Sequence, residues 1–107
     1  MAIVSTQSHH QVRNMVVGRY LTDATAAAIT ITTGFKPRYV KVVNNTSLDW
    51  YEWFEGMAAA SAHKTVAAGT GTAITTLGIT VAEDGFIIGL DTDVNVINEQ
   101  LSFVAEG

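Results

Sequence analysis

The residues with the right types and spacing for chemistry are few. Asp91-Thr92-Asp93-Val94-Asn95 has the D-x-D-x-N spacing that opens a calcium loop, where alternate oxygen-bearing side chains converge on one hard cation. Completing such a loop takes a glycine at 96 and a bidentate glutamate at 102, and the chain has Val96 and Ser102 there. The stretch reads instead as a turn entering a strand over Val94–Ile97, with Asp93 and Asn95 on its polar face. Glu52 and Glu55 are a second candidate, as the carboxylate pair of glycoside hydrolysis. At that spacing on a strand they point to opposite faces, so they read as solubilising charge. His9-His10 have no carboxylate or further ligand nearby, and His63 stands alone in a predicted strand. No nucleophile elbow, phosphate-binding glycine loop or H-E-x-x-H is present. The expectation is a chain with no catalytic residue, no metal site and no cofactor, which is not an enzyme.

The aromatic run Trp50-Tyr51-Glu52-Trp53-Phe54 is the other conspicuous cluster. On a strand, either Trp50 and Phe54 pack the core while Tyr51 and Trp53 face outward, or the reverse. An outward aromatic points to a protein interface, where Trp and Tyr are enriched, or to a sugar stacked on the ring. The interface reading is preferred. Trp50, Tyr51 and Trp53, with Phe35 and Arg38, form the expected partner surface.

These residues need a scaffold, and composition limits what it can be. A chain of 107 residues fits one domain and can bury a core without metal or disulfide staples. It contains no cysteine, which removes disulfides and thiolate chemistry. Six basic against ten acidic residues give a net charge of −4, and the cations are scattered. A nucleic-acid partner is not expected, because each phosphate contact needs a local cation. No apolar stretch approaches the roughly 20 residues of a membrane helix, and no membrane partner is expected. Charged residues are only 15% of the chain, against about 25% in a typical domain. Threonine carries much of the polar share, and its branched Cβ suits a pleated surface.

Periodicity near two recurs along the chain. Val12–Leu21 predicts a first strand bent at Gly18, and Ala27–Thr33 a clean alternation. Pro37 interrupts the ladder because it has no amide hydrogen. Arg38–Val43 and Leu48–Glu55 predict strands on either side of a turn at Asn44–Ser47. Met57–Ala62 is alanine-rich but too short for a stable helix, and reads as a loop or single helical turn. His63–Val66, Ala73–Leu77 and Ile79–Val81 follow, with a bulge or kink at Gly78. Glu83-Asp84-Gly85 predicts a tight turn. Phe86–Leu90, Val94–Ile97 and Leu101–Val104 complete the set. Short strands with turn signals roughly every ten residues predict an all-β fold, a small antiparallel β-sandwich or barrel-like domain of about eight strands. Residues 12–107 are expected to form that single domain, and residues 1–11 a flexible N-terminal arm that orders on a neighbour.

The stretch Gly34-Phe35-Lys36-Pro37-Arg38-Tyr39-Val40-Lys41-Val42-Val43-Asn44 resembles a segment of small virion proteins of tailed bacteriophages. The order of Glu52-Trp53, Gly56-Met57, Ala67-Ala68-Gly69-Thr70, Gly78-Ile79-Thr80 and Gly85-Phe86-Ile87-Ile88-Gly89, with the Asn95 segment after them, extends the likeness over about residues 34–107. The resemblance implies a capsid decoration (cement) protein or a related head or tail component. It implies binding to the lattice of major capsid protein, a homo-oligomer with a trimer favoured, and location in the virion after assembly in the host cytoplasm. The alternative is a receptor- or carbohydrate-binding module of a head fibre or tail. The resemblance supplies no catalytic or binding residues.

Overall fold

The computed structural model describes residues 14–107, so the expected arm at 1–11 lies outside the described residues. The strands are β1 (Met15–Leu21), β2 (Ile29–Thr32), β3 (Tyr39–Asn44), β4 (Trp50–Phe54), β5 (Ser61–Thr65), β6 (Gly71–Ala82), β7 (Gly85–Ile88) and β8 (Gln100–Glu106). They form one eight-stranded sheet in the order β1-β8-β3-β4-β5-β6-β7-β2. Every neighbouring pair is antiparallel, and no helix occurs among the described residues. The all-β expectation is met by a single sheet curled into a half-barrel, the barrel-like member of the two architectures.

The curl follows from where the apolar side chains meet. β7 and β8 are far apart in the strand order, yet the Phe86 and Phe103 rings lie edge to face with centroids 5.7 Å apart. One face of the sheet therefore wraps onto itself. Its interior collects Val40, Val42, Tyr51, Trp53, Ala62, Ile79, Ile88, Leu101 and Ala105, all buried with those two rings. Gly18 on β1 lets Phe103 lie against the backbone, because a Cβ there would come within 2.5 Å of its ring.

β1 and β2 are consecutive in sequence but form the two opposite edges of the sheet. The chain between them crosses the mouth of the curl. It is tied down by the Asn98 N–H donating to the Asp23 carbonyl at 3.1 Å. Asn95 Nδ2 donates to the Ala27 carbonyl at 2.9 Å, and Thr22 Oγ1 to the Glu99 carbonyl at 3.0 Å.

The strand expected over Val94–Ile97 is not formed. Asp91 Oδ1 accepts the N–H of Asp93 at 2.8 Å and of Val94 at 3.3 Å, which holds the segment as a turn. That turn drops Val94, fully buried, into the open end of the curl. Of the stretch Met57–Ala62, residues 57–60 form tight turns, with Met57 N–H on the Phe54 carbonyl and Ser61 N–H on the Ala58 carbonyl, and Ser61 and Ala62 already belong to β5. β6 is a single long strand interrupted where Gly78 predicted a bulge. Ser61 pairs Ile79 while Ala62 pairs Ile74, leaving Thr75–Gly78 without partners on β5.

Candidate functional site

Strand alternation sends successive side chains to opposite faces of the sheet, so the interior of the curl leaves a second, outer face. On β4, Tyr51 and Trp53 turn inward, and Trp50, Glu52 and Phe54 turn outward. The register then aligns outward residues into rows across neighbouring strands. One row runs Val17, Val104, Lys41, Glu52 and His63 from β1 to β5. A second runs Arg19, Ser102, Val43 and Trp50, and a third Met15, Glu106, Tyr39 and Phe54. No second layer of the described residues covers this face. Val17 is 71% exposed and Phe54 51%.

Several polar groups on the face engage aromatic neighbours. Tyr39 Oη donates to Glu52 Oε2 at 2.8 Å, and its ring packs against Phe54 with centroids 5.0 Å apart. Partial burial, and then the Glu52 carboxylate, push the Tyr39 phenol up to about 12. It stays a neutral donor through the physiological range. The Lys41 ammonium lies over the Trp50 ring, 5.4 Å from its centroid. At the margin, Arg38 Nε meets Glu55 Oε1 at 3.3 Å with both side chains mostly in water. Between these groups, Val17, Lys41, Val43, Ser102, Phe103 and Val104 line a shallow, largely apolar depression of about 270 Å³.

The D-x-D-x-N segment does gather oxygens around a cation, and the cation is Lys64. Its Nζ lies 3.1 Å from the Asp91 carboxylate and also contacts Asp93 Oδ2. Burial alone would lower the Lys64 ammonium, but its hydrogen bonds to Asp93 and Asp91 outweigh that and raise it overall. Beside it, the Tyr51 hydroxyl donates to the Leu77 carbonyl at 2.9 Å. Burial, and then the Asp91 charge, raise the Tyr51 phenol. Among the described residues, no group of three or more His, Asp or Glu side chains is arranged to hold a metal ion. Glu52 is engaged by Tyr39 and Glu55 by Arg38, so the imagined carboxylate pair is two separate contacts.

No family model, curated protein or solved structure matches the chain.

The five expected contact residues are dispersed by this geometry. Tyr51 and Trp53 are corrected to core residues, 0% and 4% exposed, because the parity of β4 turns them into the curl. Phe35 is half-buried against the core, beside the chain's last residue. Arg38 is exposed at the start of β3, paired with Glu55. Trp50 alone lies within the uncovered face. Sequence reasoning missed Val17, Val43, Val104 and Tyr39 among its other members, and had an outward Phe54 as one of two arrangements of the aromatic run. The signal that could have found them is the apolar content of both parities in β1, β3 and β4. A strand with one solvated face should carry polar residues at every second position.

Proposed function

We propose that this chain is a structural protein of a bacteriophage virion that decorates and stabilises the capsid by binding the lattice of major capsid protein. The observation that carries the reading is the uncovered face of the sheet. There Glu52 accepts from Tyr39 and the Lys41 ammonium lies over Trp50, while Val17, Val43 and Val104 present an apolar depression toward a partner. Such a face suits burial against another protein, because it mixes apolar and aromatic side chains with a few polar groups, as protein interfaces do. Order of motifs over residues 34–107 supports the phage assignment, and the low charge of the chain suits a part that stays packed among neighbours. The protein acts by contact, holding adjacent capsid subunits together, with no chemical step. Repeated modest interfaces around a particle add through avidity. In this reading the protein resides in the virion, and it works as a homo-oligomer.

The alternative, a receptor- or carbohydrate-binding module, rests on Trp50, with Lys41 already over its ring. The test is attachment to capsids assembled without the protein, followed by co-sedimentation. Wild type is expected to bind and to stay bound in moderate salt, since a chain with six cations does not bind mainly by charge. Val43→Asp with Val104→Asp changes only outer-face side chains and is expected to abolish attachment, at some cost in stability, while leaving the circular dichroism spectrum of the folded protein unchanged. Undiminished attachment of this variant would overturn the assignment of the face. Loss of glycan binding on Trp50→Ala, with no capsid binding by wild type, would favour the carbohydrate reading.

A further inference from the structure

The edge formed by β1 is built differently from the other sheet edge. β1 pairs β8 without interruption over Met15–Leu21, so no bulge twists the edge away from a newcomer. It contains no proline and a single charge, Arg19. Met15, Val17 and Leu21 are 52%, 71% and 71% exposed. Natural edge strands are usually protected by lysines, proline, bulges or shortness. β2, the opposite edge, is only four residues long.

The phase of the ladder tells which backbone groups face outward. Gly107 N–H donates to the Asn14 carbonyl at 2.9 Å, and Thr22 N–H to the Glu99 carbonyl at 3.0 Å. In an antiparallel pair, directly bonded positions recur at every second residue. Val16, Gly18 and Tyr20 therefore spend their backbone groups on β8. Met15, Val17, Arg19 and Leu21 each point an N–H and a C=O away from the sheet.

We propose that two copies of this chain associate through β1, antiparallel about a two-fold axis at Gly18, to make one continuous sheet across the dimer. In this register Met15 meets Leu21 of the partner subunit, and Val17 meets Arg19 of the partner subunit, as directly bonded pairs. Every outward N–H and C=O of the strand then finds a partner. Gly18 faces Gly18 of the partner subunit at a non-bonded position, where the two backbones come closest. Shifting the centre by one residue to Arg19 would set the two guanidinium groups directly opposite, which is unfavourable. Shifting it to Val17 sets Leu21 of each copy beyond the partner's β1, so that fewer β1 residues face one another. The register on Gly18 alone uses the whole edge and keeps the arginines apart. It also joins the two outer faces edge to edge, because Met15, Val17, Arg19 and Leu21 carry their side chains on that side. The inference concerns the protein by itself and does not depend on a capsid partner.

The experiment is sedimentation of the purified full chain, combined with cross-linking through introduced cysteines. Wild type is expected to sediment as a dimer. Val17→Pro removes one outward N–H without touching the β1–β8 ladder, and proline is tolerated at such edge positions. It should halve the sedimenting mass and leave the circular dichroism spectrum unchanged. The chain has no native cysteine, so a mixture of Met15→Cys and Leu21→Cys proteins should form a disulfide-linked dimer under oxidation. Neither protein alone should do so. A monomeric wild type, a trimer (the state favoured by the phage resemblance), or a dimer indifferent to Val17→Pro would overturn the proposal. Self-linking of Val17→Cys in preference to the mixed pair would overturn the register.

Discussion

Trp53 and Trp50 sit on the same short strand, and the sheet gives them opposite work. Trp53 is closed into the curl, its indole N–H donating to the Ala58 carbonyl at 3.3 Å. Trp50 lies on the outer face, half-covered, with an ammonium above its ring. The inner face is largely apolar and buried, and the charges that reach it, Lys64 with Asp91 and Asp93, are paired. The outer face has side chains of similar size but intersperses them with polar and charged groups, of which Glu52 accepts from Tyr39 and Lys41 lies over Trp50. A core excludes charge because desolvating it is costly. A face that spends part of its life in water and part against a partner can keep charges if each has a neighbour.

Substitutions on the two faces should separate cleanly. Trp53→Ala would leave a large hole in the curl and is expected to cost about 3–5 kcal/mol, measured by urea denaturation. If it costs no more than an outer-face change, the division into faces is wrong. Next comes Lys64→Met, which leaves Asp91 buried without its cation. An unpaired buried carboxylate is costly, and a loss of about 2–3 kcal/mol at neutral pH is expected.

Alkaline pH distinguishes the faces in another way. The folded state raises Tyr39 to about 12, and raises Tyr51 and Lys64, above their ordinary values. A raised group favours its protonated form in the fold. Its contribution is whole below the unfolded value of about 10 and is lost as pH climbs through the folded value. Stability should therefore fall from about pH 10 upward. Tyr39→Phe should remove the outer-face part of that fall and little else, as followed by thermal unfolding at several pH values. Trp50→Ala is expected to cost only about 1 kcal/mol of stability while weakening capsid attachment far more than that figure suggests. Arg38→Ala breaks an exposed ion pair and should stay within about 0.5 kcal/mol, with no effect on attachment.

How the fold was legible depended on whether a signal was local. Strand identity came through at β2, β3, β4, β7 and β8, where alternation and β-branched residues speak residue by residue. Gly78 signalled its irregularity, because only a residue without Cβ tolerates the Ser61 carbonyl so close. Val94–Ile97 misled for the same local reason. Its apolar alternation suits a strand, but Asp91 captures the N–H groups that a strand would offer to a neighbour.

By itself, the sequence determined the class of the molecule: a cysteine-free, threonine-rich chain whose short apolar runs form strands. It also determined that β4 must hide one of its aromatic pairs and show the other. Which pair is hidden was decided by tertiary structure alone. The parity of β4 is set by its register against β3 and β5, and the direction of curl by where Phe86 meets Phe103. Only the assembled sheet puts Val17, Val104, Val43 and Trp50 on one surface, since they come from four strands and no local pattern relates them. The same holds for Lys64 between Asp91 and Asp93. The spacing of the acids announces a cation, but that the cation is the chain's own lysine follows from the closure of the fold.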